Sequence, residues 1–260
     1  MPRSRMFTFA IAGLALAGAA TLVTGDAKER YMQWDVHDPN RPQPAVVDPG
    51  HPGTQDATGK APSDAIVLFG GTKTDAIQTK WPVNDKGELV ITKGTGGFKT
   101  SQAFGDIQLH LEWMAPESES KNSGQGRGNS GIFFMSQYEL QVLDNKDNKT
   151  YPDGMAGSIY GQFPPLANPG RGIGKWQTYD IVFRRPHFNE DGSLAKPARI
   201  TAFLNGVLVQ DNQELMGRAT HKKRTGYNKH ADKLPLTLQN HGQTVHYRNI
   251  WVRELEPRDD

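Results

Sequence analysis

From Ala65 onward no stretch of the chain keeps a long helical period of apolar residues, whereas alternation with a period of two recurs throughout. That alternation restricts the chain to sheets. It predicts strands at Ala65–Leu68, Glu88–Thr92, Lys99–Phe104, Ile107–Met114, Gly131–Met135 and Tyr138–Leu143, then at Gln177–Arg184, Arg199–Leu204, Val207–Gln210, Leu236–Leu238 and His246–Glu254. Turn signals separate them: Asp85-Lys-Gly87, Asn205-Gly206 and Asn240-His-Gly242. Asn205-Gly206, set between A-F-L and V-L-V, predicts a two-residue hairpin. The 28 glycines and 17 prolines suit many short strands, and the count favours an all-β, two-sheet sandwich. Three polar stretches, Pro116–Gly128, Gly161–Gly174 and Gly217–Asp232, read as insertions able to rim a site.

Two segments put useful polar side chains on one face of a pleat. Side chains alternate across a strand, so Glu139 and Gln141 share a face opposite Tyr138, Leu140 and Val142. Gln239 and His241 likewise share a face opposite Leu238, and Glu112 lies opposite Leu111 and Trp113. An oily sheet carrying Glu, Gln and His on its other side suits a polar ligand. Two carboxylates on one concave face, Glu112 and Glu139, would serve general acid–base chemistry. A face that only hydrogen-bonds a sugar would have the same pattern, so catalysis and binding stay open here.

Several chemistries fall away. The formal charge of +2 calls for no polyanion, and Lys222-Lys223-Arg224 reads as a solvated loop, so no nucleic-acid partner is expected. Without cysteine there is no disulfide, thiolate metal site or thiol nucleophile. Gly126-x-Gly128-x-x-Gly131 follows a polar loop and enters a strand, the wrong setting for a dinucleotide fingerprint. His221, His230, His241 and His246 have no zinc spacing. Asp144, Asn145, Asp147 and Asn148 crowd one turn but lack the Gly and the final Glu of an EF-hand. Turn chemistry accounts for them, and Asp144 and Asp147 are left as weak candidates for Ca2+. A retaining glycosidase needs two carboxyls about 5–5.5 Å apart on one face. Here position 141 is a neutral Gln and Asp144 has the wrong parity.

The N-terminus has an export pattern: Arg3 and Arg5, then an apolar run from Met6 to Val23, with cleavage expected after Ala27 or Ala20. An uncleaved anchor is the alternative. A signal peptide over 1–27 implies a periplasmic or secreted protein with no stable membrane insertion. Residues 28–63 read as an extended tether and 64–256 as the globular part, the alternative for the start of the tether being that Tyr31, Trp34, Val36 and His37 pack on the domain.

An ordered set of segments resembles a bacterial family, the 3-keto-disaccharide hydrolase domain. It comprises A-I-V-L-F-G-G at Ala65–Gly71, F-G-D-I-Q-L-H-L-E-W at Phe104–Trp113, N-S-G-I-F-F at Asn129–Phe134 and Y-E-L-Q-V-L-D at Tyr138–Asp144. It continues with G-S-I-Y-G at Gly157–Gly161, G-K-W-Q-T-Y-D-I at Gly174–Ile181, F-L-N-G-V at Phe203–Val207, L-Q-N-H-G, and R-N-I-W-V-R-E-L. Gly70 departs from the aspartate common in the family's L-F-D-G-K. The resemblance implies a concanavalin A-like jelly-roll β-sandwich, export, and action on oxidised sugars, with a keto-sugar glycoside as partner. A C3 ketone acidifies the C2 proton; a base removes it, the C1 oxygen leaves by β-elimination, and water adds afterwards. On that chemistry Glu139 or His241 is expected as base or acid, and Arg248 as the group polarising the ketone. Glu112, Asn129, Gln141 and Gln239 are expected to hold hydroxyls. Tyr160 is expected to stack on the sugar, with Trp176 either stacking or in the core. The alternative is a non-catalytic, lectin-like module on the same fold.

Overall fold

The computed structural model describes residues 51–257. The export-like run and Tyr31, Trp34, Val36 and His37 lie outside the described residues. Among the described residues no helix is long and apolar enough to cross a membrane.

Fourteen strands follow one another: β1 (Ile66–Phe69), β2 (Ile77–Gln78), β3 (Leu89–Val90), β4 (Phe98–Phe104), β5 (Ile107–Met114), β6 (Ser130–Phe134), β7 (Tyr138–Val142), β8 (Gln177–Arg184), β9 (His187–Phe188), β10 (Leu194–Lys196), β11 (Arg199–Leu204), β12 (Val207–Glu214), β13 (Leu234–Leu238) and β14 (His246–Glu254). They build a seven-stranded sheet in the order β1-β14-β5-β8-β11-β12, with β3 beside β14, and a five-stranded sheet in the order β2-β4-β13-β6-β7. All pairings are antiparallel, and β9 and β10 form a separate hairpin. The result is the all-β, concanavalin A-like jelly-roll sandwich.

Pleat parity explains the core. Leu109, Leu111 and Trp113 of β5, and Tyr179, Ile181 and Phe183 of β8, meet Ile132 and Phe134 of β6 and Tyr138, Leu140 and Val142 of β7. Phe134 stacks on Phe183 with ring centroids 4.7 Å apart, across the two sheets. The Asn205-Gly206 turn has both residues at positive φ (53° and 80°) and closes Leu204 onto Val207, as its sequence predicts.

Two features differ from expectation. The two-residue β2 and the β9–β10 hairpin were too short or too polar to leave a periodic signal. The described part of the supposed tether is docked: His51 and Lys60 pair as an antiparallel bridge, and Gly59 N–H donates to Glu112 Oε1 at 3.2 Å. Glycine makes this possible, because a Cβ at Gly53 would lie 2.3 Å from Glu112 Oε1.

Candidate functional site

The two glutamates expected to share a face are on different sheets. Glu112 projects from the outer face of the seven-stranded sheet, and Glu139 from the outer face of the five-stranded sheet. Parity was read correctly for each strand. What parity cannot tell is which sheet a strand joins.

Glu112 is fully buried and fully committed. Arg248 Nε donates to it at 2.6 Å and Asn249 Nδ2 at 2.9 Å. Both reach it because the β5–β14 register slips between Arg248 and Trp251, where Asn249 takes a φ of 48° and adds an extra residue. His110 sits 3.8 Å from Glu112, donates from Nδ1 to Asp180 Oδ1 (2.7 Å) and stacks on Trp251 at 5.1 Å. Burial alone would lower His110; hydrogen bonds and charge from Asp180 and Glu112 override it and raise it to about 9. Burial alone would raise Glu112; His110, Asn249 and Arg248 hold it below the usual range. Arg248 also donates to the Ala57 and Thr54 carbonyls and lies 4.0 Å over the Trp176 ring. Arg248, expected to polarise a ketone, and Trp176, left between stacking on a sugar and the core, are instead parts of a charged lock that fastens the 51–60 segment. A hollow of about 520 Å³ opens beside it, lined by Gln55, Lys146, Arg171, Lys175 and Trp176. The Glu112 carboxylate that borders this hollow already has its donors.

Glu139 is the opposite case. It is 5 % exposed, and no cation pairs with it among the described ion pairs. Burial pushes its carboxyl up to about 8. Pairing of β6 with β7 sets Gly131 opposite Gln141 and Phe133 opposite Glu139. The Glu139 carboxyl lies diagonally over Gly131, and a Cβ there would be 2.2 Å from Oε1. Gly131 thus leaves the space the carboxyl occupies.

Amides surround it. Gln141 Nε2 donates to Gln125 Oε1 at 3.0 Å; with the amide turned by 180°, that nitrogen lies 2.9 Å from the Ser130 carbonyl and 3.3 Å from Glu139 Oε1. Asn129 is spent on Gln125, donating to its carbonyl (2.8 Å) and its Oε1 (3.1 Å). Gln239 N–H donates to the Gly131 carbonyl at 2.9 Å, which brings Gln239 to the same sheet. Its own carbonyl accepts from Ser130 Oγ, which accepts from the buried Tyr247 hydroxyl, a chain that crosses the core. Tyr160 N–H donates to the Glu139 carbonyl at 3.1 Å, and its hydroxyl meets Tyr151 (3.1 Å) and His221 Nδ1 (3.2 Å). Burial, then Tyr151 and the charge of Glu139, hold the Tyr160 phenol in its neutral form.

So Glu139, Gln141, Asn129, Gln239 and Tyr160 gather on one sheet. His241 is on the same side but in the loop after β13, exposed and bonded to Gln243 at 2.7 Å. It borders its own hollow with Gly94, Gly96, Gly97, Asn240 and Gly242, and no hydrogen bond joins it to Glu139. The calcium candidates do not converge. Asp144 is buried against Arg127, whose Nε donates to it at 2.6 Å, and Asp147 marks a left-handed turn at φ 52°. Among the described residues no three His, Cys, Asp or Glu side chains could jointly hold a metal ion. Gln125, Tyr151 and His221 were not expected at the site; the loops of Gln125 and His221 read as rims, that of Tyr151 did not, and nothing in loop composition marks an individual side chain.

Gly131→Ala tests this geometry. The methyl must displace the Glu139 carboxyl or Phe133, whose Cε2 would be 3.0 Å away. Any activity that depends on this carboxyl is expected to fall at least tenfold, for a loss of only about 1–3 kcal/mol in denaturant melts. Unchanged turnover would mean that the carboxyl's position is unimportant.

A family model described as the 3-keto-alpha-glucoside-1,2-lyase-like domain matches residues 64–253. A crystal structure of a "putative glycosyl hydrolase" from Parabacteroides distasonis ATCC 8503 is 38 % identical, with a TM-score of 0.78, and the match covers 86 % of this chain and 96 % of that one. Two more structures from the same organism, described in the same words, share the fold: TM-score 0.51 for each, 16 % and 18 % identity, 74 % of this chain, and 94 % and 99 % of theirs. No curated protein matches the chain.

Proposed function

The chain belongs to the 3-keto-alpha-glucoside-1,2-lyase-like family, and from that premise we propose that it cleaves 3-keto-glycosides by proton abstraction at C2. Carbohydrate-active function is the coarse statement that family and fold support; the substrate and the chemical steps are our reading. The observation that carries it is Glu139, a buried carboxyl without a cation partner, raised to about 8, on a sheet face lined with amides. A general base works best when its pKa lies near the working pH. Glu112 is unsuited because it is ionised, saturated and held low.

In this reading ionised Glu139 takes the C2 proton. The C2–H pair passes into the ketone as an enolate, which collapses to form the C1–C2 double bond as the C1–O bond breaks. The departing oxygen takes a proton, a role we assign to the neutral Tyr160 hydroxyl, which is bonded to His221 and feels the charge of Glu139. The products are a 2-hydroxy-3-keto-glycal and the free alcohol, and water added to the glycal gives the keto sugar. Gln141 and Gln239 hold hydroxyls or the ketone oxygen. We further propose that the protein is exported and works outside the cytoplasm, on the pattern of its first residues.

Incubating the purified protein with 3-keto-trehalose and 3-keto-lactose tests the reading. Release of the free partner sugar with a transient glycal absorbance is expected. Binding of plain glycans without cleavage of either substrate would replace it with a carbohydrate-binding role.

A further inference from the structure

The basic run Lys222-Lys223-Arg224 is not the featureless solvated loop that its composition implies. It lines one wall of a hollow of about 380 Å³, room for about one sugar unit, whose other walls are Tyr151, Asp153, Tyr160, Gly161, Thr220 and His221. Lys222 takes a left-handed φ of 56°, and Thr220 Oγ1 donates to the Lys223 carbonyl at 2.7 Å, so the run is folded back as a turn. Among the described ion pairs none involves these three cations, although Arg184, Arg185, Arg199, Lys233 and Arg253 each meet a carboxylate. Three adjacent cations sharing one hollow repel one another, and among the described residues Asp153 is the only carboxylate lining it. Tyr160 ties the hollow to the Glu139 strand: its N–H donates to the Glu139 carbonyl, and its phenol feels the Glu139 charge. Its Tyr151 ring is exposed and set edge-on to Tyr160, at 6.5 Å, as a flat surface for a sugar face.

We propose that this hollow is the subsite for the leaving group, and that it selects aglycones carrying an anionic substituent, a uronate carboxylate or a sulfate ester. The Tyr151 and Tyr160 rings contact the sugar body while Lys222, Lys223 and Arg224 surround its charge. The inference rests on the reading of Glu139 as the reacting side, because that places the aglycone rather than the keto sugar at Tyr160.

Calorimetry with disaccharides that are not oxidised reads the subsite whether or not the protein is a catalyst. The probes are a glucuronate-bearing disaccharide, a 6-sulfated one and their neutral counterpart, titrated at low and high sodium chloride. Wild type is expected to bind at least one acidic probe tenfold or more tighter than the neutral one, with the preference shrinking as salt rises. Whichever acid is preferred identifies the substituent. The triple variant Lys222→Gln, Lys223→Gln, Arg224→Gln is expected to lose the preference, binding the acidic probes no more tightly than the neutral one. Equal binding of all probes, or a preference that survives in the triple variant, overturns the proposal. Absence of keto-sugar cleavage by wild type would instead count against the proposed function, so the two failures are distinguishable.

Discussion

Glu139→Gln is expected to lower kcat for a 3-keto-glycoside by 10²–10⁴-fold while leaving KM and sugar affinity within a few-fold. The substitution keeps shape and volume and removes only the ability to exchange a proton. Because Glu139 pairs with no cation among the described residues, no opposing charge is left unpaired, and the variant should melt at or above the wild-type temperature at pH 9, where wild type must keep an ionised carboxyl buried. The joint outcome is diagnostic. A residue that merely supports the fold would cost stability when changed, and a residue that only binds sugar would raise KM without touching kcat. Calorimetric unfolding alongside steady-state kinetics separates these three cases.

Arg248→Met should do the reverse. Glu112 would remain fully buried with its guanidinium gone, left with His110, Asn249 and the Gly59 N–H. Removing one partner of such a pair costs about 3–5 kcal/mol, which in a domain of this size is a fall of roughly 10 °C in Tm. The same change releases the Thr54 and Ala57 carbonyls, so the 51–60 segment should become cleavable by protease. The folded fraction should keep its kcat, because Arg248 lies on the sheet away from Glu139. Adding Glu112→Gln should recover part of the lost stability, since it removes the stranded charge. A large kcat loss in folded Arg248→Met would instead return Arg248 to the reaction centre.

Much of this was legible in the residues, for identifiable reasons. Five strands, Ile107–Met114, Gln177–Arg184, Arg199–Leu204, His246–Glu254 and the start of Tyr138–Val142, have the bounds their alternation predicts, because each buries one face against the opposing sheet. Glu139 with Gln141, and Gln239 beyond Leu238, were correctly assigned to faces for the same reason. The error lay in combining them with Glu112 and Arg248. Period two says which side of its own strand a residue occupies, and says nothing about which of two outer faces that side becomes. The bulge at Asn249 was illegible too, since a left-handed non-glycine residue inside a strand leaves no mark in hydrophobicity. Gln125 and His221 escaped because loop residues reach a site through tertiary contacts alone. The glycines at 53 and 59 read as linker residues and Gly131 as the start of a strand, yet their use is to make room for the side chains of Glu112, Asn249 and Glu139.

The central claim is that the Glu139 carboxyl, raised by burial to about 8, is the group that takes the proton. The pH dependence of kcat/KM for 3-keto-glycoside cleavage tests it most directly, measured in wild type and in Glu139→Gln between pH 6 and 9.5. The active form is the ionised one, so wild-type kcat/KM should rise about tenfold per pH unit and level off near 8, and the residual rate of the variant should lack that limb. A wild-type profile already level at pH 6, or an inflection near 8 that persists in Glu139→Gln, would contradict it.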